Sequence, residues 1–288
     1  MKKQAAVLLT LSLLTFISCD KEVNLELPEA SSKLVVLGFI SPYDSVISIR
    51  VNLSRPLFNK YPNNYPSGYN DWASQVLVSI SDHTQQIYLK YDSINKHHSI
   101  ERYFLNIIPG KTYYLNVASP DGKKITSYCT VPAQKEHSPV VNITQKQNKS
   151  GDYGTYFLST IQWQDDILTK DYYSFNALAI NAYSSMEEYV YASNRLVSDL
   201  GTEGKIIHLN QEFSKSKIEK IDDWYFNLYI LDIDEHYFHY HKYLRSTGSI
   251  GAFLEPTTVY SNIEGGLGIF CAYNVSVYKY ELAEIMTD

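Results

Sequence analysis

The sequence predicts an all-β protein: an N-terminal immunoglobulin- or fibronectin-like sandwich, then a second β-rich domain with one short helix. Three observations predict it. Runs of alternating apolar and polar residues recur down the chain, the period of a half-buried strand rather than a helix. Turn dipeptides such as Pro109-Gly110 and Asp121-Gly122 punctuate those runs. Tyrosine is abundant, 26 of 288 residues, and its ring suits a pleated surface while its hydroxyl stays wet.

Hydrophobic residues make up 44% of the chain and charged residues 19%, which fits a globular protein and not a disordered one. The length suggests two domains. A net charge of −6 with no basic patch argues against a nucleic-acid partner.

The first residues carry an address. Lys2 and Lys3 precede an uncharged apolar run, Ala5 to Ile17, and Ser18 then sets a small residue before Cys19. Such a run behind positive charge reads as a secretory signal, shorter than the roughly 20 residues of a spanning helix. A small residue before cysteine at its end is the pattern of a bacterial lipoprotein box. The expectation is a signal peptide at 1–18, a diacylglycerol on Cys19, and a membrane as partner. Residues 19–32 form a charged tether, and the cluster Asp20, Lys21 and Glu22 resembles a surface-export signal.

Residues 33–132 read as seven strands, the count and spacing of a sandwich. Leu34–Ser41 is apolar and β-branched. In Ser45–Arg55 the set Ile47, Ile49, Val51 and Leu53 forms the buried face. Gln75–Asp82 and Gln86–Ile94 flank a turn. Tyr103–Ile107, Lys111–Ser119 and Lys124–Val131 complete the unit. The insert Pro56–Ser74 interrupts the rhythm, and loops this long are often functional. Its Tyr61, Tyr65, Tyr69 and Trp72 form a candidate ligand or partner surface; packing back over the sandwich is the equal alternative.

Residues 133–139, proline-bounded and polar, read as the linker to a second domain at 140–288. There Thr155–Asp165 alternates, with Phe157, Ile161 and Trp163 on one side. Tyr172–Tyr183, Lys205–Asn210 and Asp223–Ile233 are further strands, and the stretch from Phe253 to Leu282 is a loop and then a strand. Between Asp234 and Arg245 the period changes. Tyr237, Tyr240, His241 and Leu244 share one helical face, and Asp234 can cap the start.

No catalytic motif emerges, and no cofactor is expected. His236 and His239 sit at metal-ligand spacing on the helix, yet no third ligand is evident, so they are weak candidates. Cys129 and Cys271 have no partner motif, and a disulfide between them is left open. In Ser261–Phe270, Gly265-Gly266 suits a tight turn and Gly268 a close backbone approach.

Three stretches resemble a known family: the lipobox with CDKEVNLELPEASSKLVVLGFIS, IPGKTYYLNV, and EPTTVYSNIEGGLGIFCAY. It is a bacterial lipoprotein family catalogued as a domain of unknown function, number forty-two forty-nine, and the likeness covers nearly the whole chain. Members look like cell-surface or outer-membrane lipoproteins and are often encoded beside TonB-dependent receptors. The resemblance implies a non-enzymatic accessory protein that binds a TonB-dependent transporter or its ligand. A surface adhesin, or a glycan- or host-protein-binding module, is the alternative. A secreted hydrolase or metalloprotein is a third reading.

Overall fold

Seventeen strands follow one another in the computed structural model, which describes residues 32–54, 69–147, 155–184, 186–190, 195–201, 204–247 and 259–287. They are β1 (Leu34–Ile40), β2 (Val46–Leu53), β3 (Leu77–Ser81), β4 (Gln86–Tyr88), β5 (Lys90–Asp92), β6 (His97–Glu101), β7 (Thr112–Ala118) and β8 (Lys124–Thr130). Then come β9 (Val140–Gln147), β10 (Thr155–Gln164), β11 (Tyr172–Asn181), β12 (Glu187–Val190), β13 (Leu196–Ser198), β14 (Ile206–Ser214), β15 (Trp224–Ile233), β16 (Leu267–Glu281) and β17 (Met286–Thr287). Two α-helices accompany them among the described residues, α1 (Tyr69–Ser74) and α2 (Glu235–Thr247). The protein is mainly β, built as sandwiches.

A nine-stranded sheet is the spine. Its order is β12-β11-β15-β16-β1-β2-β6-β5, with β13 also pairing β11. Two four-stranded sheets, β4-β3-β7-β8 and β14-β10-β9-β17, complete the set. Alternation along β16 shows where they lie. Phe270 and Ala272 enter the core shared with β3, β7 and β8, whereas Tyr278 and Tyr280 pack on the core shared with β9, β10 and β14. All four have the same parity, so both small sheets cover one face of the long sheet.

The expected separate domains at 33–132 and 140–288 therefore share a sheet. β1 pairs in parallel with β16, from Val35↔Leu267 to Ile40↔Ala272. The second core draws only on residues beyond 139, but the first takes Ile263, Phe270 and Ala272 from across that boundary, and the described residues form one compact unit. The expected linker is a strap pinned to the core-facing edge of β16. Asn274 Nδ2 donates to the Pro132 carbonyl at 3.5 Å, Ser276 Oγ to Lys135 at 3.3 Å and Tyr280 Oη to Pro139 at 2.9 Å. Tyr278 Oη accepts from the His137 amide at 3.0 Å, and the buried His137 ring meets Asp232 at 3.1 Å.

Glycine makes the parallel seam. Gly265 has φ +80°, which turns the chain into β16. At Gly268, with φ +106°, an added Cβ would lie 1.9 Å from the Val36 carbonyl oxygen. Only a residue without Cβ fits there. The remaining faces follow the alternation. Ile47, Ile49 and Val51 are buried as expected, with Leu53 packed on the same core, and Phe157, Ile161 and Trp163 are buried in the second.

Two expectations change, and the open question of a disulfide is answered. Gln86–Ile94 is two strands: β4 pairs β3 in one sheet, and β5 pairs β6 in the other. Buried Leu89 makes the crossing between them. Tyr103–Ile107 is not a strand. Pairing with β2 stops at Val46↔Glu101, and Arg102–Phe104 forms a 3₁₀ turn with Tyr103 and Phe104 exposed. Cys129 and Cys271 are both free and buried. Cys129 belongs to the first core, whereas Cys271 alternates with the core residues Phe270 and Ala272 on β16.

Candidate functional site

Half of the long sheet has an opposite face that neither small sheet covers. On β11, β15 and β16 the residues between the buried ones are half-buried. Ser174, Asn176 and Leu178 come from β11, Tyr229 and Leu231 from β15, Tyr273 and Val275 from β16. Cross-strand pairing sets Ser174 against Leu231 and Asn176 against Tyr229. These residues floor a cavity of about 470 Å³, within the range of small-molecule sites.

Helix α2 forms one wall. Asp234 caps it as its sequence suggests: Oδ1 accepts the Tyr237 amide at 2.8 Å, and Oδ2 accepts the Ala272 amide of β16 at 3.0 Å. The cap thus ties helix to sheet. Burial drives the Asp234 carboxyl up to about 7, against the opposing pull of those amides. From the helix, Tyr237, His241 and Arg245 reach the cavity at intervals of four. Arg195, just before β13, and Tyr43 with Asp44 from the β1–β2 turn close the other sides.

The polar groups here have defined states. The Tyr273 hydroxyl donates to both Asp44 oxygens, at 3.0 and 2.8 Å. Burial, then the Asp44 bond, raises the Tyr273 pKa far above the phenol range, so it stays a donor. Burial likewise raises Tyr237. The His241 ring stacks on Tyr237 at 4.3 Å, and burial, then the Arg245 charge, lowers its pKa; it is neutral at pH 7. Burial and then Arg195 lower that of Arg245, which places the two guanidinium groups within electrostatic reach of one another. Among the described residues neither has a carboxylate within 4.0 Å. The cavity can therefore offer two cationic forks, phenol donors and an aromatic wall.

Two wider depressions, of about 830 and 880 Å³, lie around β2, β5 and β6. Their one arginine, Arg102, is committed to the Pro42 carbonyl.

The residues expected to form sites are dispersed. Cys19, the signal 1–18, and Tyr61 and Tyr65 lie outside the described residues, as does all of the 19–32 tether but its last residue. Tyr69 opens α1. Trp72 packs against the first core, the folded-back alternative for that residue. His236 Nδ1 meets the Tyr260 hydroxyl at 2.6 Å, and His239 lies against the same ring at 5.4 Å. Neither histidine belongs to a group able to hold a metal among the described residues.

One group there does have that spacing: the Asp165, Asp171 and Asp199 carboxylates, each within 4.8 Å of the others. It is already neutralised in part. Lys135 pairs with Asp171, Tyr173 Oη donates to Asp165 at 2.6 Å, and burial with neighbouring acids pushes Asp199 up to about 6. It reads as a polar lock between the strap and β10, β11 and β13. The sequence does not mark this group, because Asp199 lies 28 residues beyond Asp171 and only the pairing of β13 with β11 brings it back to the other two. No motif marks Arg195 and Arg245 either. Their rarity was the available signal, since the chain has only five arginines.

A family model described as Domain of unknown function (DUF4249) matches residues 20–279. No curated protein matches the chain.

Proposed function

The chain belongs to this family of domains of unknown function, and from that premise we propose that it is a lipid-anchored outer-membrane surface lipoprotein. It acts by binding rather than catalysis, as an accessory to a TonB-dependent transporter or its ligand. The observation that carries the binding reading is the cavity on the uncovered face of the long sheet, with its four tyrosines and two arginines. Tyrosine and arginine dominate binding surfaces because they give large contact area and directional bonds for little entropy. The anchor rests on Ser18-Cys19 behind the apolar run. A lipoprotein cysteine carries two or more acyl chains, and at about 0.8 kcal/mol per buried CH₂ these hold firmly.

Two measurements test the reading. Cys19→Ala is expected to move the protein out of the outer-membrane fraction; a variant that still fractionates with that membrane contradicts the anchor. Native protein solubilised in mild detergent is expected to co-purify with a TonB-dependent receptor. Recovery without any such receptor contradicts the accessory role.

A further inference from the structure

We propose that the cavity between helix α2 and the uncovered face takes a small anionic ligand with a cyclic body. Arg195 and Arg245 hold its acidic group, and the tyrosine wall packs on its ring. This rests on the reading of the cavity as a binding site and names the ligand class for it.

Four observations converge. First, two of the chain's five arginines line one cavity of about 470 Å³ in a protein whose net charge is −6. A random surface of this composition would present lysine, of which there are four times as many. Planar guanidinium forks suit carboxylate, sulfate or phosphate, which they bind in pairs of parallel bonds. Second, two like charges face the same space without a carboxylate within 4.0 Å among the described residues. Their mutual repulsion is relieved when an anion enters. Third, the cavity's own carboxylate, Asp44, is held by the Tyr273 hydroxyl and is not paired with either arginine. Neutral His241 adds no third charge, so the anion site is confined to the arginine end. Fourth, the remaining lining is amphipathic. Tyr43, Tyr229, Tyr237, Asn176 and Ser174 offer ring faces beside single hydrogen-bonding groups. That combination fits a hydroxylated ring better than an aliphatic chain. An acidic sugar is the simplest molecule that uses both ends.

The small number of arginines makes the test direct. Full-length protein in detergent, grown with isotope-labelled arginine and tyrosine, gives one side-chain Nε–H signal per arginine, assigned with Arg195→Lys and Arg245→Lys, and ring signals for the tyrosine wall, assigned with Tyr229→Phe and Tyr43→Phe. Inorganic sulfate, glucuronate and glucose are titrated separately. The expected result is a saturable shift of the Arg195 and Arg245 signals with sulfate, at a shared midpoint, while Arg50 and Arg102 stay still. Glucuronate is expected to reach the same two signals at a concentration roughly tenfold lower than sulfate. Arg245→Ala is expected to weaken both by at least about tenfold, with the far-ultraviolet spectrum unchanged. Arginine signals that all drift together without saturation would overturn the anion site. Glucuronate no tighter than sulfate would overturn the ring contact. If glucose perturbs the tyrosine-wall signals while sulfate moves neither arginine, the cavity binds but the anion assignment is wrong. If none of the three probes acts at the cavity, this inference and the binding reading both fall.

Discussion

The two faces of the long sheet at β11, β15 and β16 come from the same strands, residue by residue, yet they differ in kind. Toward the second small sheet, Phe175, Ala177, Phe226, Leu228 and Ile230 are buried to within 1%. Each large side chain there contributes about 1.5–3 kcal/mol by leaving water. One residue along, on the other face, stand Ser174, Asn176, Tyr229 and Tyr273, half-buried and polar-tipped. The strands could have been apolar on both sides and covered on both, as in parallel α/β sheets. Instead a single helix covers part of that face and leaves a cavity beside it. Stability is concentrated on one face and recognition on the other. The alternation of strand geometry keeps Asn176 and Tyr229 apart from that core, whereas Leu231, Tyr237 and Tyr273 also pack against a small buried cluster of Tyr172, Leu196, Ile233 and Phe238 beneath the helix.

That division can be broken or sharpened by substitution. The largest effect is expected on the covered side of the seam. In Gly268→Ala the new Cβ meets the Val36 carbonyl at 1.9 Å, on a backbone with φ +106°. The parallel β1–β16 pairing must shift, and the loss in urea denaturation is expected to be at or beyond about 4 kcal/mol. A loss below about 1 kcal/mol would mean that the seam does not join the two sandwiches as described.

A smaller, pH-dependent effect belongs to Asp234, which ties the helix to the sheet. Its folded pKa, raised by burial to about 7, lies above the ordinary 3.8. The protonated acid is favoured by folding. Its contribution is complete below the unfolded pKa and is lost as pH rises through about 7. Wild type is therefore expected to lose more stability between pH 5 and pH 8 than Asp234→Asn, which cannot titrate. Equal pH slopes for the two proteins would contradict the buried cap.

Much of this fold is legible in the sequence because alternation is local. Ile47, Ile49 and Val51 name their own face, the Asp234 cap and the helix period mark α2, and the glycines at 265 and 268 mark a turn and a close approach. What alternation does not carry is neighbourhood. Nothing near Leu34 says that its strand will pair in parallel with Leu267–Ala272, more than two hundred residues away. The two sandwiches therefore read as separable domains, and 133–139 as a free linker. Polar strands were also lost from view. His97–Glu101 has two histidines and a glutamate in five residues, yet it is β6, because its pairing with β2 and β5 sets the conformation. The cavity was the least visible feature. Its residues come from the β1–β2 turn, three strands, the start of β13 and one helix, and only Tyr237 and His241 belong to the helical face that the sequence shows.

The most direct test of the two-face account compares adjacent residues on β15, Tyr229 and Ile230, which point to opposite faces. Each is changed to alanine, and each variant is measured for denaturant stability and for glucuronate binding by the folded protein. Ile230→Ala is expected to lose about 2–5 kcal/mol of stability while keeping its affinity. Tyr229→Ala is expected to lose less than about 1 kcal/mol and to weaken binding by roughly tenfold. If both substitutions alter the same property to a similar degree, the division between the faces is wrong.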